Sequence, residues 1–312
     1  MIIITGRNRN LRLLLVPLVL LLFGCGISSS YRPADQKTIR DFDSGSKYRK
    51  IAGVMALSNT TMFTSVQVAS PFMAAFLSSL ESNVSGAMLI VPGKPEVPSF
   101  LGNPPRIANG DIDAFTLSAL ARQEGMNTVV SPVLMDIRLR TRDTGFWFFK
   151  DVAYSLQVQT AATVYDAATG ARLALEILTE EVDIDEDQAG IIRNGQEIAV
   201  SELVDLAEEM GEELGERMGD AINDSQWMTS LASIEDGACV IMAGSQVGIE
   251  AGDRFSVLDG SNVLNGLDGQ RFIVPGSKIG EITINRVAPR QCVGGPESGE
   301  VPPAGSIIIP GP

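Results

Sequence analysis

The stretch VAYSLQVQTAATVY, residues 152–165, decides the fold because it has the length and pattern of a long β-strand. Apolar residues recur at alternate positions through most of it, so one face of the strand is apolar. Residues 128–142 and 172–184 on either side are also predicted strands, and short turns at 143–145 and 166–170 connect all three. Because short turns join antiparallel neighbours, the sequence predicts an antiparallel sheet of three long strands.

The chain before this sheet alternates between predicted strands and helices. Residues 50–57 and 87–91 are short apolar strands, and an apolar face at helical spacing predicts a helix from Phe63 to Leu80. Asp111 is placed to cap a second helix that runs to Gln123. With a third helix after the sheet, the order β-α-β-α-β-β-β-α predicts an α+β fold whose first domain is a mixed α/β sandwich.

The third helix, predicted over residues 197–223, has one apolar face and one acidic face. Gly211 and Gly215 lie on the apolar face, although glycine inside a helix costs about 1 kcal/mol relative to alanine. Because glycine lacks a side chain, we expect this helix to approach the sheet very closely at these two positions.

The chain changes character after Trp227. Residues 235–312 are short predicted strands separated by glycines and Asp-Gly turns, with no predicted helix. This pattern is typical of a small closed or nearly closed barrel, so we predict a small all-β barrel as the second domain. Cys239 and Cys292 lie in this domain, where they are expected to form a disulfide; the alternative is two separate buried thiols.

The first residues have the organisation of an export signal. Three arginines precede an apolar run at 13–23, which is too short to cross a bilayer as a helix because that takes about 20 residues. The sequence Leu22-Phe23-Gly24-Cys25 then resembles the lipobox of bacterial lipoproteins. The resemblance implies that residues 1–24 are a signal peptide and that Cys25 is acylated. The alternative is an ordinary signal peptide with a cysteine there by chance.

From Cys25 onward, the sequence predicts a tether followed by two domains. Residues 25–48 contain no sustained apolar pattern and are a predicted flexible tether. The α/β domain is then expected at 49–226 and the barrel at 235–312. Gly26, at the second mature position, is compatible with sorting to the outer membrane. We therefore expect a lipid-anchored protein at the periplasmic face of that membrane.

Composition excludes several kinds of function. The net charge of −14 argues against nucleic-acid binding and against electrostatic attraction to anionic lipid. The chain has no histidine, which removes Ser-His-Asp and Cys-His catalysis and histidine-ligated metal. No glycine loop of a nucleotide-binding type occurs, so no cofactor is expected. Paired carboxylates of a glycoside hydrolase are the enzyme alternative, but we expect a protein that is not an enzyme.

The first domain resembles a known nucleotide-free α/β domain. The residues that carry this resemblance are Arg122-Gln-Glu-Gly-Met, Thr128-Val-Val-Ser and Val158-Gln-Thr-Ala-Ala-Thr-Val-Tyr-Asp-Ala-Ala-Thr-Gly170. They are similar to the amino-terminal domain of TolB, the curli-secretion lipoprotein and the lipoprotein activators of penicillin-binding proteins. In the second domain, Val247-Gly-Ile-Glu-Ala-Gly-Asp-Arg-Phe-Ser-Val257 and Lys278-Ile-Gly-Glu-Ile-Thr-Ile-Asn-Arg-Val287 resemble the carboxy-terminal barrel of flagellar assembly protein T.

These resemblances imply a non-catalytic envelope lipoprotein that binds protein partners. A homo-oligomer is a further expectation. A role in envelope assembly, such as a flagellar ring, is the first expectation. The alternatives are an activator of a peptidoglycan synthase and a subunit of a curli-type secretion channel, which needs amphipathic hairpins of about 10 residues per strand. The strand carrying Arg138, Arg140 and Arg142 is the candidate for such a hairpin.

Two further stretches are candidate sites. Phe146, Trp147, Phe148 and Phe149 are four consecutive aromatics predicted to follow a turn, and we expect them to contact a partner or to cap the core. Residues 180–187 resemble a calcium-binding loop, but they lack its glycine and its final glutamate, so a solvated acidic segment is expected instead.

Overall fold

A mixed sheet forms the centre of the α/β part of the structure. The computed structural model describes residues 47–63, 66–94, 97–146, 149–196, 200–297 and 300–311. The strands are β1 (Ile51–Val54), β2 (Ser58–Asn59), β3 (Met88–Ile90), β4 (Thr128–Phe146), β5 (Phe149–Asp166) and β6 (Arg172–Ile184). Their order is β3-β1-β4-β5-β6, and β2 also pairs with β4. The predicted antiparallel arrangement of the three long strands, β4, β5 and β6, is confirmed.

Five helices accompany the sheet in the described residues. They are α1 (Val66–Asn83), α2 (Ser99–Gly102), α3 (Ala114–Gln123), α4 (Glu186–Arg193) and α5 (Ser201–Asp224). The long helices α1 and α5 pack on one face of the sheet, where Phe72, Phe76 and Leu214 are fully buried. The predicted α+β class is confirmed, and β2, α2 and α4 are elements that the sequence did not predict.

The two predicted glycines bring α5 against a helix, not against the sheet. A Cβ atom added at Gly211 would lie 2.4 Å from the carbonyl oxygen of Phe72, and one at Gly215 would lie 2.5 Å from that of Phe76. Ser79 Oγ also donates to the carbonyl oxygen of Glu212 at 2.7 Å. The expectation of a close approach is correct, but its partner is α1.

The carboxy-terminal part forms the predicted closed barrel. Its strands are β7 (Thr229–Glu235), β8 (Ala238–Ile241), β9 (Arg254–Leu258), β12 (Lys278–Val287), β13 (Cys292–Pro296) and β14 (Ile307–Pro310). The order around the barrel is β12-β13-β8-β7-β14-β9, and pairing of β9 with β12 closes it. The barrel begins at Thr229, earlier than the expected boundary at residue 235, because β7 completes the ring.

One strand predicted for the barrel lies outside it. The strands β10 (Val263–Asn265) and β11 (Arg271–Ile273) pair only with each other in the described residues and form a separate hairpin. This hairpin packs on the α/β part, because Gln270 Nε2 donates to the carbonyl oxygen of Ile112 at 3.0 Å. The guanidinium of Arg271 also lies 4.4 Å from the ring centroid of Phe115.

Two local boundaries differ from the sequence prediction. The predicted turn at 143–145 is strand, because β4 and β5 stay paired as far as Phe146 and Phe149. The cap of α3 is Asp113 and not Asp111, since the Asp113 carboxylate accepts a hydrogen bond from the backbone nitrogen of Thr116 at 3.1 Å. None of the described helices combines the length and the apolar character needed to cross a membrane.

The α/β part and the barrel share a hydrophobic core. The three aromatic residues Tyr48, Trp227 and Phe255 are buried together, with ring centroids 5.1, 5.3 and 5.7 Å apart. They come from the segment before β1, from the connection between α5 and β7, and from β9. Trp227 Nε1 also donates to the carbonyl oxygen of Arg49 at 3.1 Å. Tyr48, the last residue of the predicted tether, is therefore packed inside the fold.

Candidate functional site

The predicted lipid anchor lies outside the described residues, but the point where the chain joins the fold is defined. Lys47 Nζ forms a salt bridge with Asp253 Oδ1 at 2.7 Å, at the start of β9. Burial opposes the charge of Asp253, yet hydrogen bonds from Lys47, the Glu250 backbone and Tyr48 outweigh it and lower the pKa of the carboxyl. Lys47, the first described residue, therefore contacts the barrel.

The predicted disulfide between Cys239 and Cys292 is wrong. Both cysteines are free and buried. They lie on adjacent strands, but Cys239 is opposite Gly294 and Cys292 is opposite Ile241. Diagonal positions of this kind are about 7–8 Å apart, which is more than the usual Cα separation of a disulfide. Burial raises the pKa of Cys239, and it raises that of Cys292 to about 12. The second alternative, two separate buried thiols, is the one observed.

We expect neither buried cysteine to react with Ellman's reagent in the native protein, because both thiols are inaccessible and protonated. After unfolding in guanidinium without reductant, Cys239 and Cys292 should both react. The Tm should not change when dithiothreitol is added. Absence of reactive thiols in the unfolded, unreduced protein would show a disulfide instead, and a third reactive thiol would come from an unmodified Cys25.

The predicted aromatic contact cannot be placed in full. Phe146 is the last residue of β4 and Phe149 the first of β5, and the two are paired across the hairpin. Trp147 and Phe148 lie outside the described residues, as do the side chains of the other two aromatics. Phe146 and Phe149 therefore follow no turn at 143–145 but lie at the far end of the β4–β5 hairpin.

The acidic segment at 180–187 forms the end of β6 and the start of α4. Asp185 caps α4, because its carboxylate accepts from the backbone nitrogen of Gln188 at 2.7 Å. The Gln188 side chain accepts from the backbone nitrogen of Asp185 at 3.0 Å, which completes a capping box. Within the described ranges, no three His, Cys, Asp or Glu side chains are grouped so as to hold a metal ion.

The arginine strand belongs to a polar ladder that crosses three strands. Arg140 Nη2 donates to Gln157 Oε1 at 2.7 Å, and Gln157 Nε2 donates to Glu181 Oε1 at 3.1 Å. The opposite face of the same hairpin is apolar and is covered by α4, where Ile192 is buried. This hairpin therefore has one charged face and one apolar face, which is buried at Leu156 and exposed at Val152 nearer the tip.

The buried charged residues have structural partners. Lys50 Nζ donates to the carbonyl oxygens of Ile222 and Asn223, at 2.6 and 2.9 Å, and to that of Ser225, so it caps the end of α5. Burial lowers its pKa to about 8. Arg122 donates to the carbonyl oxygens of residues 167 and 168 at 2.9 and 3.0 Å. These contacts account for the burial of Lys50 and the partial burial of Arg122.

The outer edge of β6 is a candidate binding surface that the sequence did not predict. No other described strand pairs with this side of β6, which makes it a sheet edge of 13 residues. A groove of about 600 Å³ lies between the first half of β6 and α5. The residues that line it are Leu173, Ala174, Leu175, Glu176, Arg217, Asp220, Ala221, Asp224 and Ser225. A long edge with an adjoining groove can accept an extended chain.

No protein-family model matches this chain, and no curated protein matches its sequence. Among solved structures it is similar to lipoprotein GNA1162 of Neisseria meningitidis, with 10% identity, a TM-score of 0.27, and coverage of 46% of this chain and 93% of that chain. The minor lipoprotein of Acinetobacter baumannii has 11% identity, a TM-score of 0.25, and coverage of 54% and 94%. TolB of the same species has 10% identity, a TM-score of 0.26, and coverage of 81% and 48%. Bacterial lipoproteins are thus among the similar structures, but scores this low carry no argument about function.

Proposed function

We propose that this protein is a non-catalytic lipoprotein of the bacterial envelope, acylated on Cys25, which binds other envelope proteins. The observation that carries the proposal is the sequence Leu22-Phe23-Gly24-Cys25 behind three arginines and a short apolar run. One acyl chain anchors a protein only marginally, so stable attachment requires several chains on the same cysteine.

Within this function, a role in envelope assembly such as a flagellar ring is our first choice, on the sequence resemblance alone. Activation of a peptidoglycan synthase is the second. The aromatics Phe146, Trp147, Phe148 and Phe149 stay proposed partner contacts, and homo-oligomerisation is part of the proposal. A subunit of a curli-type secretion channel is the third choice. A membrane hairpin needs a lipid-facing apolar surface, and on β4–β5 the inner part of the apolar face is buried with Ile192 of α4, whereas Val152 is exposed.

Acylation is tested by growing cells with radiolabelled or clickable palmitate. We expect the wild-type protein to take up the label and to fractionate with membranes, and globomycin to block its processing. Cys25→Ser should abolish labelling, whereas the control Cys239→Ser should leave it intact because Cys239 is buried in the barrel. Wild-type protein that is free of fatty acid and found in the soluble periplasmic extract would contradict the proposal.

The finer roles are distinguished by crosslinking in living cells followed by mass spectrometry. Crosslinks to basal-body proteins would support flagellar assembly, and crosslinks to a penicillin-binding protein would support synthase activation. Crosslinks between identical chains, together with ring oligomers stable in detergent, would favour the secretion channel. The genes that neighbour this one give an independent indication, since each role predicts a different set.

A further inference from the structure

We propose that the outer edge of β6 binds an extended basic segment of a partner protein, which joins the sheet as an additional strand. This inference names the partner chemistry of the proposed function and rests on it. Its structural basis is the combination of a free sheet edge, an adjoining groove and a different chemistry on each face of β6. No one of these features would be sufficient alone.

The edge itself provides the main-chain interactions. In the described residues β6 pairs with β5 on one side only, over positions 172–184. Its outward N–H and C=O groups are therefore available to a neighbouring extended chain. Native proteins commonly protect a long edge with a covering helix or loop. Along the first half of β6 there is instead a groove of about 600 Å³.

The face of β6 that points toward α5 is acidic at the groove. Glu176 lies on this face, because its carboxylate accepts from Arg217 Nη1 at 2.8 Å. Arg217 also pairs with Glu213, so its single charge is shared between two carboxylates. Asp220 and Asp224 line the same groove. Three carboxylates and one cation line the groove, Glu213 adds a fourth carboxylate beside Arg217, and the buried Lys50 adds a second cation close to Asp224, so the excess charge on this side is negative.

The other face of β6 is apolar over the same residues. Leu175 and Ile177 alternate with Glu176, so they point away from α5, and they are 44% and 50% exposed. A strand added beside β6 would place its own side chains alternately on these two faces. Cross-strand pairs of opposite charge and of apolar residues stabilise sheets. The ligand should therefore alternate basic residues, facing α5, with β-branched apolar residues on the open face.

Charge also decides against a second copy of this chain as the occupant. An antiparallel copy of β6 would bring its Glu180 toward the acidic groove and its Glu181 and Asp183 onto the open face beside Leu175 and Ile177. The whole chain carries a net charge of −14. Like charges placed opposite each other on adjacent strands are destabilising. A basic segment of a different protein has the complementary charge, so it is the occupant to which we commit.

The test is a binding measurement with a defined peptide and the full-length acylated protein in non-ionic detergent. The probe is a fluorescein-labelled peptide of about eight residues that alternates lysine and valine. We expect saturable binding by fluorescence anisotropy, and a Kd about tenfold higher for the peptide with glutamate in place of lysine. A peptide methylated at alternate backbone nitrogens should also bind about tenfold more weakly, because it cannot complete the ladder.

Protein variants locate the site. Asp220→Lys/Asp224→Lys should raise the Kd about tenfold, while the control Glu81→Lys/Glu235→Lys, with the same change in net charge on exposed residues elsewhere, should not. Ile177→Lys should weaken binding, and Ile279→Lys, on an equally exposed barrel position, should not. Circular dichroism checks that each variant is folded.

Several results would overturn the inference. These are the absence of saturable binding, equal binding of the N-methylated peptide, or equal loss in the groove and control variants. Self-association that Ile177→Lys abolishes would identify a second copy as the occupant and would also overturn it. Palmitate labelling of the same preparation separates the two proposals. An acylated protein that does not bind the peptide contradicts only this inference, and an unacylated protein that binds it contradicts only the proposed anchor.

Discussion

Replacing Gly215 by alanine is expected to lower the free energy of unfolding by about 3 kcal/mol, even though alanine is the better helix former by about 1 kcal/mol. The new Cβ would lie 2.5 Å from the carbonyl oxygen of Phe76, 2.8 Å from Ser79 Cβ and 2.9 Å from the backbone nitrogen of Leu80. Two of these three atoms belong to the backbone of α1, so no side-chain rotation relieves the clash. The helices α1 and α5 must move apart, which weakens the hydrogen bond from Ser79 to Glu212. Urea denaturation measures the effect.

Gly190→Ala is the matched control. Gly190 also lies inside a helix, α4, but a Cβ there would have no neighbour within 4 Å. The change should therefore stabilise the protein by about 0.5–1 kcal/mol through helix propensity alone. The two substitutions should therefore change the free energy of unfolding in opposite directions, although both replace a glycine inside a helix. If both substitutions stabilise the protein, the close packing of α1 and α5 is wrong.

The glycine positions also show how far the sequence could predict the fold. The apolar face of the last helix and its two glycines are local features, so a close approach at Gly211 and Gly215 was predictable. The identity of the partner was not, because the contact joins helices that are more than 130 residues apart in the chain. Periodicity could not show whether α5 approaches α1 or the sheet most closely, since both present apolar residues to α5.

The barrel shows a similar limit. Short apolar segments and glycine turns predicted its strands, but this pattern does not distinguish a strand inside the barrel from one outside it. Arg271–Ile273 therefore looked like a barrel strand, although Ile273 donates its backbone hydrogen bond to Thr169 of the α/β part. The disulfide failed for a related reason. The sequence placed Cys239 and Cys292 in the same barrel, but neither the pairing of their strands nor the register that makes them diagonal neighbours is encoded in their spacing.

The candidate site was the least predictable part. The lipid anchor depends on a short local motif and could be predicted, whereas the edge of β6 depends on which strands have no neighbour. Leu175 and Ile177 are apolar residues of the predicted strand at 172–184, yet both are about half exposed. One signal was available: β6 ends the antiparallel sheet and is followed by helices. A last strand in such an order lies at an edge unless a later strand returns to it.

Trp227→Ala is expected to lower the free energy of unfolding by about 4 kcal/mol, because Trp227 is fully buried and no neighbouring side chain can fill its volume. Its ring packs against those of Tyr48 and Phe255, at centroid distances of 5.1 and 5.7 Å. The control Trp227→Phe keeps an aromatic ring and loses mainly the hydrogen bond to the Arg49 carbonyl, so it should cost about 1–2 kcal/mol. Urea denaturation compares the two variants.

Trp227→Ala also tests whether Trp227 holds the segment before β1 against the barrel. Tyr48 packs on Trp227, and Lys47 pairs with Asp253, so the segment before β1 is fixed to the barrel at its side chains. Loss of the indole should loosen this segment and speed trypsin cleavage after Lys47 and Arg49 at temperatures where the rest of the protein stays folded. In an acylated protein, cleavage there would release the folded part from the membrane. If Trp227→Ala is cleaved no faster than wild type under native conditions, Trp227 stabilises the core without holding the tether.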